Sequence, residues 1–170
     1  MNNVILIGMP GAGKSTLGVL LAKTLGMTFL DTDLLLQQQE KSLLPDLIAR
    51  QGIDGFLTLE GTLCAGLEAD NAVIATGGSV VYQPEGMANL RRLGTVVYLK
   101  LGYRTLSRRL GNLKHRGVVL RPGQTLRMLY DERVPLYETY ADLIVDCGQQ
   151  DIEHTLQRVL QALKKAGTAT

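Results

Sequence analysis

The sequence predicts a three-layer α/β fold: a five-stranded parallel sheet with helices on both faces. Three observations predict it. Short apolar runs of strand length alternate with helical patterns along the whole chain. The first run passes into the first helix through a glycine-rich loop of phosphate-binding composition. The 170 residues are 45% hydrophobic and 20% charged, as expected of one globular domain with a substantial core.

The first strand is expected at 4–7, where Val4, Ile5, Leu6 and Ile7 run without a polar break. Gly8-Met9-Pro10-Gly11-Ala12-Gly13-Lys14-Ser15-Thr16 follows and has the spacing G-x-x-x-x-G-K-[ST] of a P-loop. Glycines leave the loop amides open to phosphate oxygens, and the helix that begins at Lys14 adds free N–H groups and a positive dipole end. Gly11, Ala12, Gly13, Lys14, Ser15 and Thr16 are therefore the expected ATP-binding residues. Lys14 reaches the terminal phosphates and the Ser15 hydroxyl serves Mg²⁺. Leu17, Leu20, Leu21 and Leu25 give the helix at 14–25 its apolar stripe.

A second strand at 28–30 ends in Asp31-Thr32-Asp33. Two carboxylates at a strand end can divide metal binding from orientation of an acceptor hydroxyl. The plainer alternative is that Asp33 caps the next helix and Asp31 is solvated. Helices are expected at 33–50, with a break near Pro45, and at 56–69. The third strand, 72–75, runs into Thr76-Gly77-Gly78-Ser79, where paired glycines let a substrate approach the backbone. A helix at 84–93 and a strand at 95–99 come next.

The helix at 103–110 opens a basic stretch. From 100 to 127 there are eight Lys or Arg residues and no acidic one, whereas 24–90 holds only Lys41 and Arg50. Residues 111–123 form a long, polar, glycine-bearing connection, expected to be a lid over bound nucleotide. Arg109 and Arg116 are expected to meet ATP, with Arg116 set to stabilise charge on the transferred group and Lys114 and Arg121 as rivals. A helix at 125–140 carries Arg133, for which a surface ion pair with Asp131, Glu132 or Glu138 is the ordinary alternative. The chain closes with a strand at 143–145, a helix at 151–164 bearing Ile152, Leu156, Val159, Leu160 and Leu163 on one face, and a loose tail at 166–170.

A net charge of +2 gives no reason to expect nucleic acid, and no apolar run nears the roughly 20 residues needed to span a bilayer. Cys64 and Cys147 lack metal or redox spacing, and the first strand leaves no room for a leader. A cytoplasmic protein is expected. In a parallel sheet ligands bind beyond the carboxyl ends of the strands, which puts the P-loop, Asp31, Asp33 and residues 76–79 on one edge.

Taken in order along the chain, these motifs resemble the shikimate kinase family. The resemblance runs from Asn3 to Val145 and includes the P-loop, Asp31 with Asp33, Phe56 with Glu60, Ala75-Thr76-Gly77-Gly78, the basic lid and Arg133-Val134-Pro135-Leu136-Tyr137. It implies a monomeric, adenylate-kinase-like P-loop NTPase fold and phosphorylation of a ring hydroxyl of shikimate by Mg²⁺-ATP. It also implies that Asp31 serves the metal, Asp33 the acceptor hydroxyl, Gly77 and Gly78 the substrate, Arg116 the ATP and Arg133 the shikimate carboxylate. On this reading Lys14, Asp33 and Arg116 are catalytic.

Three positions depart from the family pattern. Leu57 stands where the family has an arginine that shares the carboxylate with the Arg133 position, Ser79 replaces a third glycine, and the lid's Arg-Pro is Arg116-Gly117. The alternatives are a related kinase for another polyol, hydroxy acid or amino alcohol, or a silent nucleotide-binding module. A nucleoside monophosphate kinase fits less well, since its phosphorylated acceptor needs more cations than Lys41 and Arg50 supply.

Overall fold

The computed structural model describes residues 3–111, 118–148 and 151–168. Its centre is a five-stranded, all-parallel sheet in the order β2-β3-β1-β4-β5. The strands are β1 (Asn3–Ile7), β2 (Thr28–Asp31), β3 (Ala72–Ala75), β4 (Gly94–Lys100) and β5 (Leu143–Asp146). Every residue of β1 and β3 is buried, which is why 4–7 and 72–75 read as unbroken apolar runs rather than alternating ones. Ala75 lies in register with Leu6 on one side and Asp31 on the other, so the strands end together and their following loops share one edge. At the opposite edge the Asn3 side chain closes the sheet. It donates to Ala69 O and Leu93 O and accepts from Ala72 N, all within 2.9 Å.

The helices are α1 (Lys14–Leu25), α2 (Thr32–Glu40), α3 (Leu44–Gly66), α4 (Pro84–Leu93), α5 (Tyr103–Leu110), α6 (Leu126–Tyr140) and α7 (Ile152–Lys165). Leu17 and Leu21 of α1, Leu106 of α5, Leu129 and Tyr137 of α6 and Val159 of α7 pack with the sheet in one core. A second, smaller cluster of Leu36, Leu47 and Phe56 joins α2 to α3, and Leu57 and Val119 pack against it.

Several boundaries differ from the sequence expectation. The break expected near Pro45 lies at 41–43 and divides 33–50 into two helices: Lys41 turns left-handed (φ 50°), and the Gln37 side chain accepts from Leu44 N at 3.1 Å. Pro45 starts α3 instead of breaking a helix, because the first turn needs no N–H from it. A further kink, inside α3, comes at Gly52 (φ 72°, ψ 175°), after which α3 resumes before the expected position 56 and stops at Gly66, short of 69. Thr125 and Asp151 are not helical but cap α6 and α7, accepting from Met128 N (3.2 Å) and His154 N (2.9 Å). A single 3₁₀ turn, Val80–Tyr82, follows the glycine pair and was not expected. Gly167 N and Thr168 N close the end of α7 onto Lys164 O and Leu163 O.

Candidate active site

The P-loop wraps the N-terminus of α1. Gly13, at the helix cap, has φ 93° and ψ 18°, a left-handed conformation that a side chain would strain. Lys14 is buried, and its Nζ donates to Gly8 O (2.7 Å) and Met9 O (2.9 Å), which folds the side chain back across the loop. Burial lowers the Lys14 ammonium to about pKa 8, with Arg133 adding to the effect and Asp33 opposing it. The loop encloses a cavity lined by Gly11, Gly13, Lys14, Ser15 and Thr16, with Asp33, Thr76 and Gly78 on the far wall. Ala12 is buried beneath it and bonded through its N–H to Met9 O. Arg109 reaches the rim from α5, with Nη1 4.0 Å from the position a Cβ on Gly13 would take.

The two carboxylates at the end of β2 make different contacts, and the expected capping alternative is corrected. Asp31, not Asp33, caps α2, accepting from Asp33 N at 3.0 Å. Its other oxygen accepts from the Ser15 hydroxyl at 2.6 Å, which ties the end of β2 to the P-loop. Asp33 is left pointing across the sheet edge, 2.8 Å from where a Cβ on Gly77 would be. Burial raises the Asp33 pKa, Asp31 raises it further and Lys14 opposes both. A carboxylate of raised basicity beside an ammonium is suited to accept a proton from a hydroxyl.

A second cavity adjoins the first, lined by Phe56, Glu60, Gly77, Ser79, Val119 and Arg133. Pro10, Asp33, Leu44 and Gly78 line both, so the two spaces meet at Asp33. Gly77 must lack a side chain because a Cβ there would overlap the Glu60 carboxylate, and its N–H is held by Thr32 Oγ1 at 3.2 Å. A Cβ on Gly78 would lie 2.7 Å from Pro10 Cδ. Tyr137 fixes this loop from below, donating its hydroxyl to Gly78 O at 2.5 Å. Arg133 and Tyr137, four residues apart, lie on one face of α6, so the same helix face supplies a cation and a fastening for the glycine pair.

The surface ion pair weighed for Arg133 is absent. Arg133 is 2% exposed, its guanidinium lies 5.1 Å from the Tyr82 ring centroid, and its Nε donates to Tyr82 Oη at 3.3 Å. It forms no ion pair among the described residues, a rare state for a buried charge and one suited to receiving an anion. Its sequence neighbours are otherwise engaged: Asp131 pairs with Arg127, and Glu132 accepts from Tyr82.

Glu60, Ser79, Tyr82 and Tyr137 were not among the expected site residues. The spacing of Phe56 and Glu60, one helical turn apart, was the available signal for Glu60. Burial raises its pKa to about 7, partly offset by the Ser79 hydrogen bond. All other expected site residues fall on this one edge except Arg116, which with Lys114 lies outside the described residues. Arg121 is described and is paired with Asp54 on α3 at 2.8 Å.

A parallel sheet of this order, with a P-loop and a carboxylate shared between two cavities, defines a P-loop phosphotransferase acting on a hydroxyl group. Comparison with known proteins narrows the class. The family model described as shikimate kinase matches residues 10–164. A shikimate kinase of Psychrobacter sp. (strain PRwf-1) is 36% identical over 166 residues, 96% of this chain and 92% of that protein. One from Pseudomonas paraeruginosa (strain DSM 24068 / PA7) is 38% identical over 168 residues, 97% of this chain and 98% of its own length. The solved structure of shikimate kinase from Acinetobacter baumannii in complex with shikimate superposes with a TM-score of 0.87 at 32% identity, covering 98% of this chain and 94% of that one. The chain belongs to the shikimate kinase family, whose members are ATP-dependent kinases.

Proposed function

We propose that the chain transfers the γ-phosphoryl group of ATP to a ring hydroxyl of shikimate, giving shikimate 3-phosphate. The observation that carries this reading is the position of Asp33 on both cavities: a donor phosphate on the P-loop and a hydroxyl beside Gly77 and Gly78 would meet at its carboxylate. Family membership supplies the reaction, and a relative solved with shikimate supplies the acceptor.

The roles follow from chemistry. The loop amides and Lys14 hold the phosphates, Arg109 flanks them, and Arg116 joins them by the family resemblance. Asp33 orients the acceptor hydroxyl and takes its proton as the bond to phosphorus forms. Arg133 holds the acceptor carboxylate, and Gly77 and Gly78 give the ring access to the backbone. Ser15 and Asp31 are hard oxygen donors 2.6 Å apart, a set that fits Mg²⁺, which keeps most of its water and takes one or two protein ligands. When bound, Mg²⁺ would neutralise charge on the β- and γ-phosphates. Phosphoryl transfer needs mainly positioning and electrostatics, which these residues provide.

On this reading residues 1–170 act as one domain and a monomer in the cytoplasm, with no nucleic acid or membrane involved; the lid expected at 111–123 lies partly outside the described residues. Among the described residues no helix is long and apolar enough to cross a membrane. A coupled ADP-release assay over shikimate, sugar acids, amino alcohols and nucleoside monophosphates tests the acceptor. Shikimate is expected to give the highest kcat/KM. Absence of shikimate-dependent ADP release at high acceptor concentration would refute the reading.

A further inference from the structure

We infer that Arg121 is a second cation for the acceptor carboxylate and supplies from the chain between α5 and α6 what Leu57 cannot supply from α3. The inference rests on the acceptor being the carboxylate-bearing shikimate.

Three observations carry it. A cavity beside the acceptor cleft is lined by Leu57, Tyr82, Val119, Arg121 and Arg133, and two of these, Val119 and Arg133, also line the cleft itself. Arg133 therefore opens to both spaces, and Arg121 faces the one next to it. Second, Arg121 Nη2 lies 2.8 Å from Asp54 Oδ1, and Asp54 stands three residues before Leu57 on α3. That contact shows the guanidinium within reach of the helix that carries Leu57. Third, the backbone around Arg121 is fixed. Its N–H donates to Gln124 Oε1 (3.1 Å) and its carbonyl accepts from Gln124 N (2.9 Å), while Val119 packs on the Leu36, Leu47 and Phe56 cluster.

The charges fit a monoanion. The side chains of Arg121 and Asp54 are 56% and 84% exposed, so their pair is weak and easily exchanged for a better-buried partner. Arg133 offers a guanidinium with no carboxylate of its own among the described residues. Two guanidinium groups lining one cavity offer a partner to each oxygen of a carboxylate. Glu132, which lines this cavity, and Asp54, beside Arg121, keep the net charge low and so disfavour a doubly charged phosphate ester. Arg121 is thereby a specificity residue for the acceptor, not a member of the phosphoryl-transfer machinery.

The test is Arg121→Met, assayed with shikimate and with its neutral carboxamide. The KM for shikimate is expected to rise roughly tenfold or more, the size of one lost charge-assisted contact, with kcat and the KM for ATP little changed. The KM for the carboxamide should not move. Adding Leu57→Arg to the variant should restore most of the shikimate affinity, and Asp54→Asn, which frees Arg121, should not weaken it. An unchanged KM in Arg121→Met overturns the inference. So does an equal rise for both acceptors reproduced by Asp54→Asn, which would make Arg121 a fastener between this segment and α3. A wild-type enzyme that turns over no shikimate refutes the proposed function instead. Calorimetric binding of shikimate to wild type and Arg121→Met reads the inference separately: loss of affinity only in the variant supports it, equal affinity of the two contradicts it, and no binding to either refutes the proposed function.

Discussion

The Ser79 hydroxyl donates to Oε2 of Glu60 at 2.6 Å, while Oε1 of the same carboxyl is buried without a hydrogen-bond partner among the described residues. One departure from the family pattern, Ser79, thus meets Glu60 directly. Ser79 contributes a neutral donor, and Leu57, one turn earlier on α3, contributes no cation. Burial then dominates and holds the Glu60 pKa near 7.

Glu60 makes stability depend on pH. Its folded pKa of about 7 exceeds its ordinary value of 4.5, so the stability of the protonated form is complete below about 4.5 and is lost as pH rises through 7. The loss is on the order of 3 kcal/mol. Glu60→Gln keeps the Ser79 bond without the charge. Melting temperatures from pH 4.5 to 8.5 should fall with pH in the wild type and stay flatter in the variant; parallel curves would show that Glu60 is not the titrating group.

Lys14 should couple nucleotide binding to proton uptake. In the phosphate-free site its pKa is about 8, and polyphosphate beside the ammonium raises it. ATP affinity is therefore expected to be level below pH 8 and to fall above it. Calorimetry at pH 8.5 in two buffers of different ionisation enthalpy should detect a proton taken up on binding. Lys14→Met should abolish both effects.

Asp33→Asn should lower kcat by about 10²–10⁴, the usual contribution of a positioned acid–base group, with the Kd for ATP nearly unchanged. Matched losses in kcat and ATP affinity would instead assign Asp33 to the phosphate site. Asp31→Ala should behave differently, raising the Mg²⁺ concentration for half-maximal rate and costing about 1 kcal/mol of stability through the lost α2 cap.

Tyr137→Phe removes the donor to Gly78 O. A loss of about 1 kcal/mol in stability is expected, together with a raised KM for shikimate and an unchanged KM for ATP. A rise in the ATP KM alone would mean that the glycine pair serves the donor side.

The sheet and the donor half of the site were legible because their signals are local. The P-loop spacing, the apolar strands and Asp31 with Asp33 each sit within a few consecutive residues. Helix boundaries around 41–56 were not, since a proline at a first turn and a left-handed Lys41 decide them, and neither follows from periodicity. The acceptor half depends on residues far apart in sequence. For Arg133 a surface ion pair with Asp131, Glu132 or Glu138 was the ordinary alternative to the carboxylate role that the resemblance implied, and only the fold shows α6 turning it inward; the approach of Arg121 to Asp54 joins residues 67 apart in sequence. Leu57 marked the missing cation in the sequence; only the fold shows which cation stands beside it.

The central claim is tested most directly by product detection. Wild-type protein incubated with Mg²⁺-ATP and shikimate should yield, by ³¹P NMR, one phosphomonoester of shikimate in step with ADP, and Asp33→Asn should yield almost none in the same time. ADP formed without a shikimate phosphomonoester, or at the same rate with no acceptor present, would contradict it.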